Sequence, residues 1–206
     1  MNDGLVLPFS HSDAWNFYEW TDNLDGKNTD PQSFDLLLNA LLSVALKNTG
    51  EISRILGKPD NFTKLSELVN DAINKTFYSE NEQVYFDFDS KNTTSQLGNA
   101  LAILCGAATG ERAKKIANKL LTDKSMVKIS LSMLCFKYDA WLKADKALYT
   151  KHIFEEIKQV YAPMVALGNK TVWETEAGES DFKNAGSLCH GWSAMPVYYY
   201  NILREN

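Results

Sequence analysis

The sequence predicts an all-α fold made of helical hairpins. Three observations carry this. About seven segments repeat apolar residues at i, i+3 and i+4 spacing, strand signals are rare, and no βαβ rhythm appears. Successive antiparallel helices fit a bundle, a solenoid or a toroid of hairpins. No fixed-length repeat is legible, which disfavours the common solenoids.

The first helix is expected after Pro31, in SFDLLLNALLSVALKNTG. Phe34, Leu37, Leu38, Leu41, Leu42, Ala45 and Leu46 share one face, with Asp30 as N-cap, Pro31 at N1 and Gly50 at C′. A second helix is expected from about Asn61 to Phe77, with Leu65, Leu68, Val69, Ala72 and Ile73 inward. Gln83 to Phe88 alternates, as a short strand or extended turn would. A third helix runs from about Thr94 to Ala108, with Leu97, Leu101, Leu104 and Cys105 inward and Gly110 ending it. A fourth spans about Glu111 to Leu121, a fifth Ser130 to Leu142 and a sixth Leu148 to Val165, broken by Gly168. After a polar loop, a last helix is expected from about Ala185 to Leu203, where core packing claims at least one of Tyr198, Tyr199 and Tyr200. No linker or low-complexity segment divides the chain, so residues 1–206 are expected to form a single domain.

Composition narrows the function classes. Net charge is −5 over 206 residues, which argues against a binder of nucleic-acid backbones. An apolar fraction of 45% is that of a folded chain. No apolar run reaches membrane-spanning length, and no secretory signal is visible, which leaves the compartment open. Cys105, Cys135 and Cys189 are too scattered for a disulfide framework or a C-x-x-C site and are read as reduced. His11, His152 and His190 lie far apart, so no metal site is expected.

Two stretches do not fit a helix-core reading. One is Trp15-Asn-Phe-Tyr-Glu-Trp-Thr-Asp-Asn-Leu-Asp25. The other is Thr171-Val-Trp-Glu-Thr-Glu-Ala-Gly-Glu-Ser-Asp181 with Ser187-Leu-Cys-His-Gly-Trp-Ser193. Trp15, Trp20, Trp173 and Trp192 all lie in them, mixed with carboxylates. A sugar presents C–H faces that flat rings cover and hydroxyls that acids, amides and His bind. Glycosidic cleavage also needs two carboxylates. Taken singly, each Trp is an ordinary core plug, each loop acid a solvated charge and His190 a core or cap histidine. A Cys189–His190 nucleophile is disfavoured because adjacent side chains rarely face each other.

These residues carry a family resemblance. Gly168-Asn-Lys-Thr-Val-Trp-Glu174 resembles the G-A-T-T-x-W-E signature of bacterial α-L-rhamnosidases, glycoside hydrolase family seventy-eight. Ser187-Leu-Cys-His-Gly-Trp-Ser-Ala-Met-Pro-Val-Tyr198 is similar to its S-L-C-H-x-W-S-A-x-P-x-Y segment. Ser95-Gln-Leu-Gly-Asn-Ala-Leu-Ala resembles its S-Q-x-x-N-A-L-A helix start, and Phe17-Tyr-Glu-Trp-Thr-Asp-Asn-Leu-Asp-Gly26 its F-x-D-W-x-x-G-L-D-G loop. The segments keep the family's order and cover nearly the whole chain.

The resemblance implies a six-hairpin (α/α) toroid, inversion at the anomeric centre, rhamnosides as substrates and no cofactor. It implies Glu174 as general base. It implies that Glu19, Trp20 and His190 line the sugar pocket; the mixture of rings and acids in the two stretches adds Asp22, Trp15, Trp173 and Trp192 as expected sugar contacts. The chain departs from the family at Glu19, where Asp is usual, and at Asn169-Lys170. The family's general acid lies in a loop upstream of the D-W loop, so the acid is expected outside this chain. Seven helices also leave a twelve-helix ring open, so the chain is expected to be a C-terminal portion, partnered by the N-terminal part of its own polypeptide. Two other readings stay open: a sugar-binding or structural part of that fold without turnover alone, and a helical scaffold for protein partners.

Overall fold

The computed structural model describes residues 4–9, 15–21, 24–26, 30–168 and 170–204. The described residues are mainly helical, as the apolar spacing predicts: α1 Leu36–Ile55, α2 Thr63–Phe77, α3 Gln96–Cys105, α4 Gly110–Thr122, α5 Leu134–Ala166, α6 Asp181–Asn184 and α7 Pro196–Leu203. The alternating segment, residues 83–88, contains β2 Val84–Tyr85, which pairs antiparallel with β1 Tyr78–Ser79, just after α2, with Tyr78 opposite Tyr85.

The first helix begins later than its sequence suggests. Asp35, not Asp30, is the N-cap, its Oδ1 accepting from the Leu38 N–H at 2.6 Å. Asp30 instead closes a turn by accepting from the Gln32 N–H. Gly50 does not end α1 but lies buried inside it, because a Cβ there would come within 2.5 Å of Thr63 Oγ1. The inward stripe is accordingly Leu36, Leu37, Ala40, Ser43 and Gly50, while Leu41 and Ala45 are exposed. Small residues let α1 and α2 close up, with Ser43 hydrogen-bonded to Ser66 and Asn70. On α2, Val69, Ala72 and Ile73 are buried, whereas Leu65 and Leu68 face out.

Helix α3 is buried nearly all round and packs on α1, α4 and α5. Its polar residues are structural ties. Ser95 caps it, accepting from the Gly98 N–H. Asn99 replaces a strand partner for β2, accepting from the Tyr85 N–H and donating to the Tyr85 carbonyl, both at 2.9 Å. Gly106, with φ +96°, ends α3 in the left-handed region, and Gly110 opens α4 instead of ending α3.

The fifth and sixth predicted helices are the two arms of α5. The chain reverses at Asp145, where φ −163° and ψ 95° leave the helical range. Lys137 meets Glu156 at 2.5 Å, and Trp141 stacks on Tyr149 with centroids 5.4 Å apart. Residues nineteen apart on a straight helix would be separated by roughly 28 Å, so the arms are antiparallel. Asp145 Oδ1 caps the second arm by accepting from the Leu148 N–H.

The last helix is shorter than predicted. Only Pro196–Leu203 is α-helical, preceded by a 3-10 turn over Gly191–Ala194. Residues 187–190 give their backbone hydrogen bonds to the Trp173 region rather than to a helix. Tyr199 is buried, its hydroxyl 2.8 Å from Asp139 Oδ1 and 2.9 Å from the Cys135 carbonyl. Tyr198 and Tyr200 are exposed. Cys105 is buried, Cys135 half-buried and Cys189 exposed, all as free thiols.

This topology gathers four irregular segments at the N-terminal ends of α1, α3, the first arm of α5, and α7. The Leu36 N–H donates to the Asp87 carbonyl, Gln96 N–H to Val127, and Ser130 N–H to Glu19 Oε2. Lys128 meets Glu176 and Trp20 meets Phe182, so the segments containing residues 15–21, 86–95, 123–133 and 171–194 lie together at one end.

Candidate functional site

The second aromatic-acid stretch folds back on itself. Glu174 N–H donates to the Ser187 carbonyl and His190 N–H to the Val172 carbonyl, both at 2.8 Å. Thr171 donates its hydroxyl to the Leu188 carbonyl at 2.6 Å. This pairing brings the W-E and S-L-C-H segments side by side, although the paired residues are 13 or more apart in sequence.

Glu174 sits half-buried at its centre. Its Oε2 accepts from the Ser187 N–H at 3.1 Å, and its carbonyl from the Trp192 indole at 3.0 Å. Among the described residues no hydrogen bond reaches Oε1. One carboxylate oxygen is thus fixed and the other left to accept. His190 stacks on Trp192 with centroids 3.6 Å apart, and its Nδ1 is buried without a partner. His190 also lines a cavity of about 430 Å³ with Lys170, Thr171 and Tyr161. Trp173 turns inward and is 6% exposed. Its ring packs on Gly178, where a Cβ would come within 2.7 Å.

The first stretch forms an aromatic cluster. Trp15, Phe17 and Trp20 contact one another at centroid distances of 4.7–5.9 Å. Trp15 and Trp20 are exposed, and the Trp15 indole donates to the Asp25 carbonyl. Phe182 joins from the other stretch, 5.9 Å from Trp20. It stands in the turn of α6, where Phe182, Lys183 and Asn184 all have positive φ. A backbone conformation so unusual for non-glycine residues marks the turn as held by its surroundings. Periodicity gives no sign of this contact. Asp22 lies outside the described residues.

Beneath the cluster are three buried carboxylates. Glu19 has no exposed surface; Oε2 accepts from the Ser130 N–H at 2.7 Å, and Oε1 is without a partner. Asp35 accepts from the Tyr18 hydroxyl at 2.9 Å. Asp87 Oδ1 accepts from the Ser95 hydroxyl at 2.6 Å, while Oδ2 is buried and unpartnered. Burial raises all three carboxyl pKa values. Asp87 is pushed up to about 7, by burial first, against the Ser95 hydrogen bonds, and further by the charges of Glu19 and Asp35.

The sign of the resulting pH dependence is defined. A carboxyl with a raised folded pKa binds its proton more tightly when folded. Its contribution to stability is present at acid pH and lost as pH rises through the folded value. Between about pH 4 and pH 7 unfolding free energy should therefore fall as pH rises, by at most about 1.4 kcal/mol per pH unit from Asp87. Asp87→Asn should flatten this slope and stabilise the chain at pH 8. Urea unfolding at several pH values measures it; a wild-type stability that rises from pH 5 to 7 would contradict the buried cluster.

Among the described residues, no group of three His, Cys, Asp or Glu is placed to hold a metal ion. No helix of the described residues is long and apolar enough to cross a membrane.

Helical hairpins with a carboxylate and clustered indoles on loops at one end fit a helical-toroid glycosidase domain, and the family match gives that class. Residues 8–202 match the family model described as the bacterial alpha-L-rhamnosidase 6 hairpin glycosidase domain, and the chain belongs to that family. Among solved structures, it is similar to a GH78 family rhamnosidase of Bacillus sp. GL1, with TM-score 0.80 and 24% identity over 98% of this chain and 22% of that one. It is also similar to a rhamnosidase from Klebsiella oxytoca with rhamnose bound, with TM-score 0.70 and 15% identity over 91% of this chain and 38% of that one. At these identities the likeness shows the fold. The chain thus spans less than two-fifths of either solved relative. No curated protein matches it.

Proposed function

We propose that residues 1–206 form one domain, a C-terminal portion of a rhamnosidase toroid, and that it supplies the general base and sugar contacts of an inverting α-L-rhamnosidase. The observation that carries this is Glu174: one oxygen is held by the Ser187 N–H and the other accepts no hydrogen bond from the described residues. A carboxylate held in this way can orient a water and take its proton as the water attacks the anomeric carbon. In inverting enzymes the two carboxyls stand about 6.5–9.5 Å apart to admit that water.

The other residues take roles consistent with their exposure. Trp20 and Trp15 with Phe182, and His190 with Trp192, meet the sugar; Asp22, outside the described residues, is assigned to the sugar by the motif alone. Glu19 and Trp173, both buried, hold the loops from behind. The terminal rhamnosyl group is the ligand, and family membership supports that class. The Klebsiella oxytoca relative was solved with rhamnose bound.

The general acid comes from outside this chain. Glu176, the nearest alternative in sequence, is occupied by Lys128 at 2.6 and 2.7 Å. A rhamnoside with an activated aryl leaving group departs without protonation, so this chain can be tested directly. Turnover by wild type, set against Glu174→Gln, decides the assignment. The runner-up reading, sugar binding without turnover, predicts rhamnose binding with no release of the aryl group.

A further inference from the structure

We propose that Lys128 is a positioning residue of this site, fixing the segment that carries Glu174 against the connector that anchors the aromatic loop. The proposal rests on Glu174 being the base. The connector between α4 and α5 is itself rigidly tied. Val127 pairs with the start of α3, its N–H donating to the Thr94 carbonyl at 2.9 Å and its carbonyl accepting from the Gln96 N–H at 3.0 Å. Ile129 N–H donates to Gln96 Oε1. One residue on, Ser130 N–H holds Glu19 of the aromatic loop.

Between these backbone ties, Lys128 reaches the other way. Its Nζ lies 2.6 and 2.7 Å from the two carboxylate oxygens of Glu176, two residues beyond Glu174. Residues 128–130 thus grip both halves of the site, the W-E segment by an ion pair and the aromatic loop by a backbone hydrogen bond. The W-E segment makes most of its own hydrogen bonds internally, to residues 187–190. Its contacts with the rest of the molecule are correspondingly important for where Glu174 stands.

The exposure of the pair separates positioning from stability. Lys128 is 61% and Glu176 41% exposed, so the ion pair adds little to folding free energy. A residue needed only for folding would not be expected there. Removing the charge should move the loop while leaving the unfolding temperature nearly unchanged.

The test compares wild type, Lys128→Met, Lys128→Glu and the swap Lys128→Glu with Glu176→Lys. Hydrogen exchange of residues 171–190 is followed by mass spectrometry, beside kcat and KM on an activated aryl rhamnoside. Lys128→Glu, which sets two carboxylates together, should exchange at least about threefold faster in that segment. Its kcat should fall about tenfold with KM little changed, and Tm should stay within about 2 °C. The swap should restore both exchange and kcat. Unchanged exchange in Lys128→Glu, or a kcat loss that the swap does not restore, would overturn the proposal. A wild type without turnover would remove the Glu174 reading, and the exchange measurements would still decide whether Lys128 holds the segment.

Discussion

Glu174→Gln should lower turnover of an activated aryl rhamnoside by about 10²–10⁴-fold, the usual cost of removing a general base. Rhamnose affinity should change little. The amide is nearly isosteric with the carboxylate, and its oxygen can still accept from the Ser187 N–H. What it loses is the ability to take a proton from water. Glu174→Ala should behave similarly, and azide should restore its turnover, because a small anion fits the vacated space and attacks without a base. Glu176→Gln, which breaks only the pair with Lys128, should cost no more than the roughly tenfold expected of Lys128→Glu. A Glu174→Gln chain with near-wild-type rate would remove Glu174 from the mechanism.

The largest loss of stability should come from Glu156→Ala. Lys137 is 3% exposed and meets Glu156 at 2.5 Å across the two arms of α5. Its ammonium also lies 4.9 Å from the centre of the Trp141 ring. Burial lowers the Lys137 pKa, and Glu156 opposes that shift. Deleting the carboxylate strands a buried charge, which costs about 3–5 kcal/mol; the lower end applies because Glu156 is 21% exposed. Lys137→Met with Glu156→Leu should be close to neutral, because replacing both partners leaves no orphaned charge. Denaturant unfolding of the three chains measures both. A Glu156→Ala chain as stable as wild type would mean that the arms do not depend on this pair.

Helical periodicity identified the helices well where one face is apolar and the other polar. It failed at α1, where the inward stripe contains Ser43 and Gly50 because α2 approaches too closely for larger side chains. The reversal at Asp145 was visible as a gap between two apolar patterns, since the second arm needs a capping carboxylate. The pairing of residues 172–174 with 187–190 was invisible to periodicity, which reads local spacing and not backbone hydrogen bonds between distant segments. For the site, the motifs made Glu174, Trp20 and His190 legible as candidates. The burial of Glu19 and Trp173 was not, because a loop acid and a loop indole look alike whether they face in or out. Ser130, Phe182 and Lys128 reach the site only through tertiary contacts, and no local pattern marks them.

The most direct test of the central claim, that these two loops form a rhamnose site, is a titration of this chain with L-rhamnose. Glucose is the control, and Trp fluorescence is followed in wild type and Trp20→Ala. Trp20 is 40% exposed within the aromatic cluster, so a sugar covering it should change its emission. The account predicts saturable binding selective for rhamnose, weakened about 5- to 50-fold in Trp20→Ala by the lost stacking area. Equal response to both sugars, or rhamnose binding unaffected by Trp20→Ala, would contradict it.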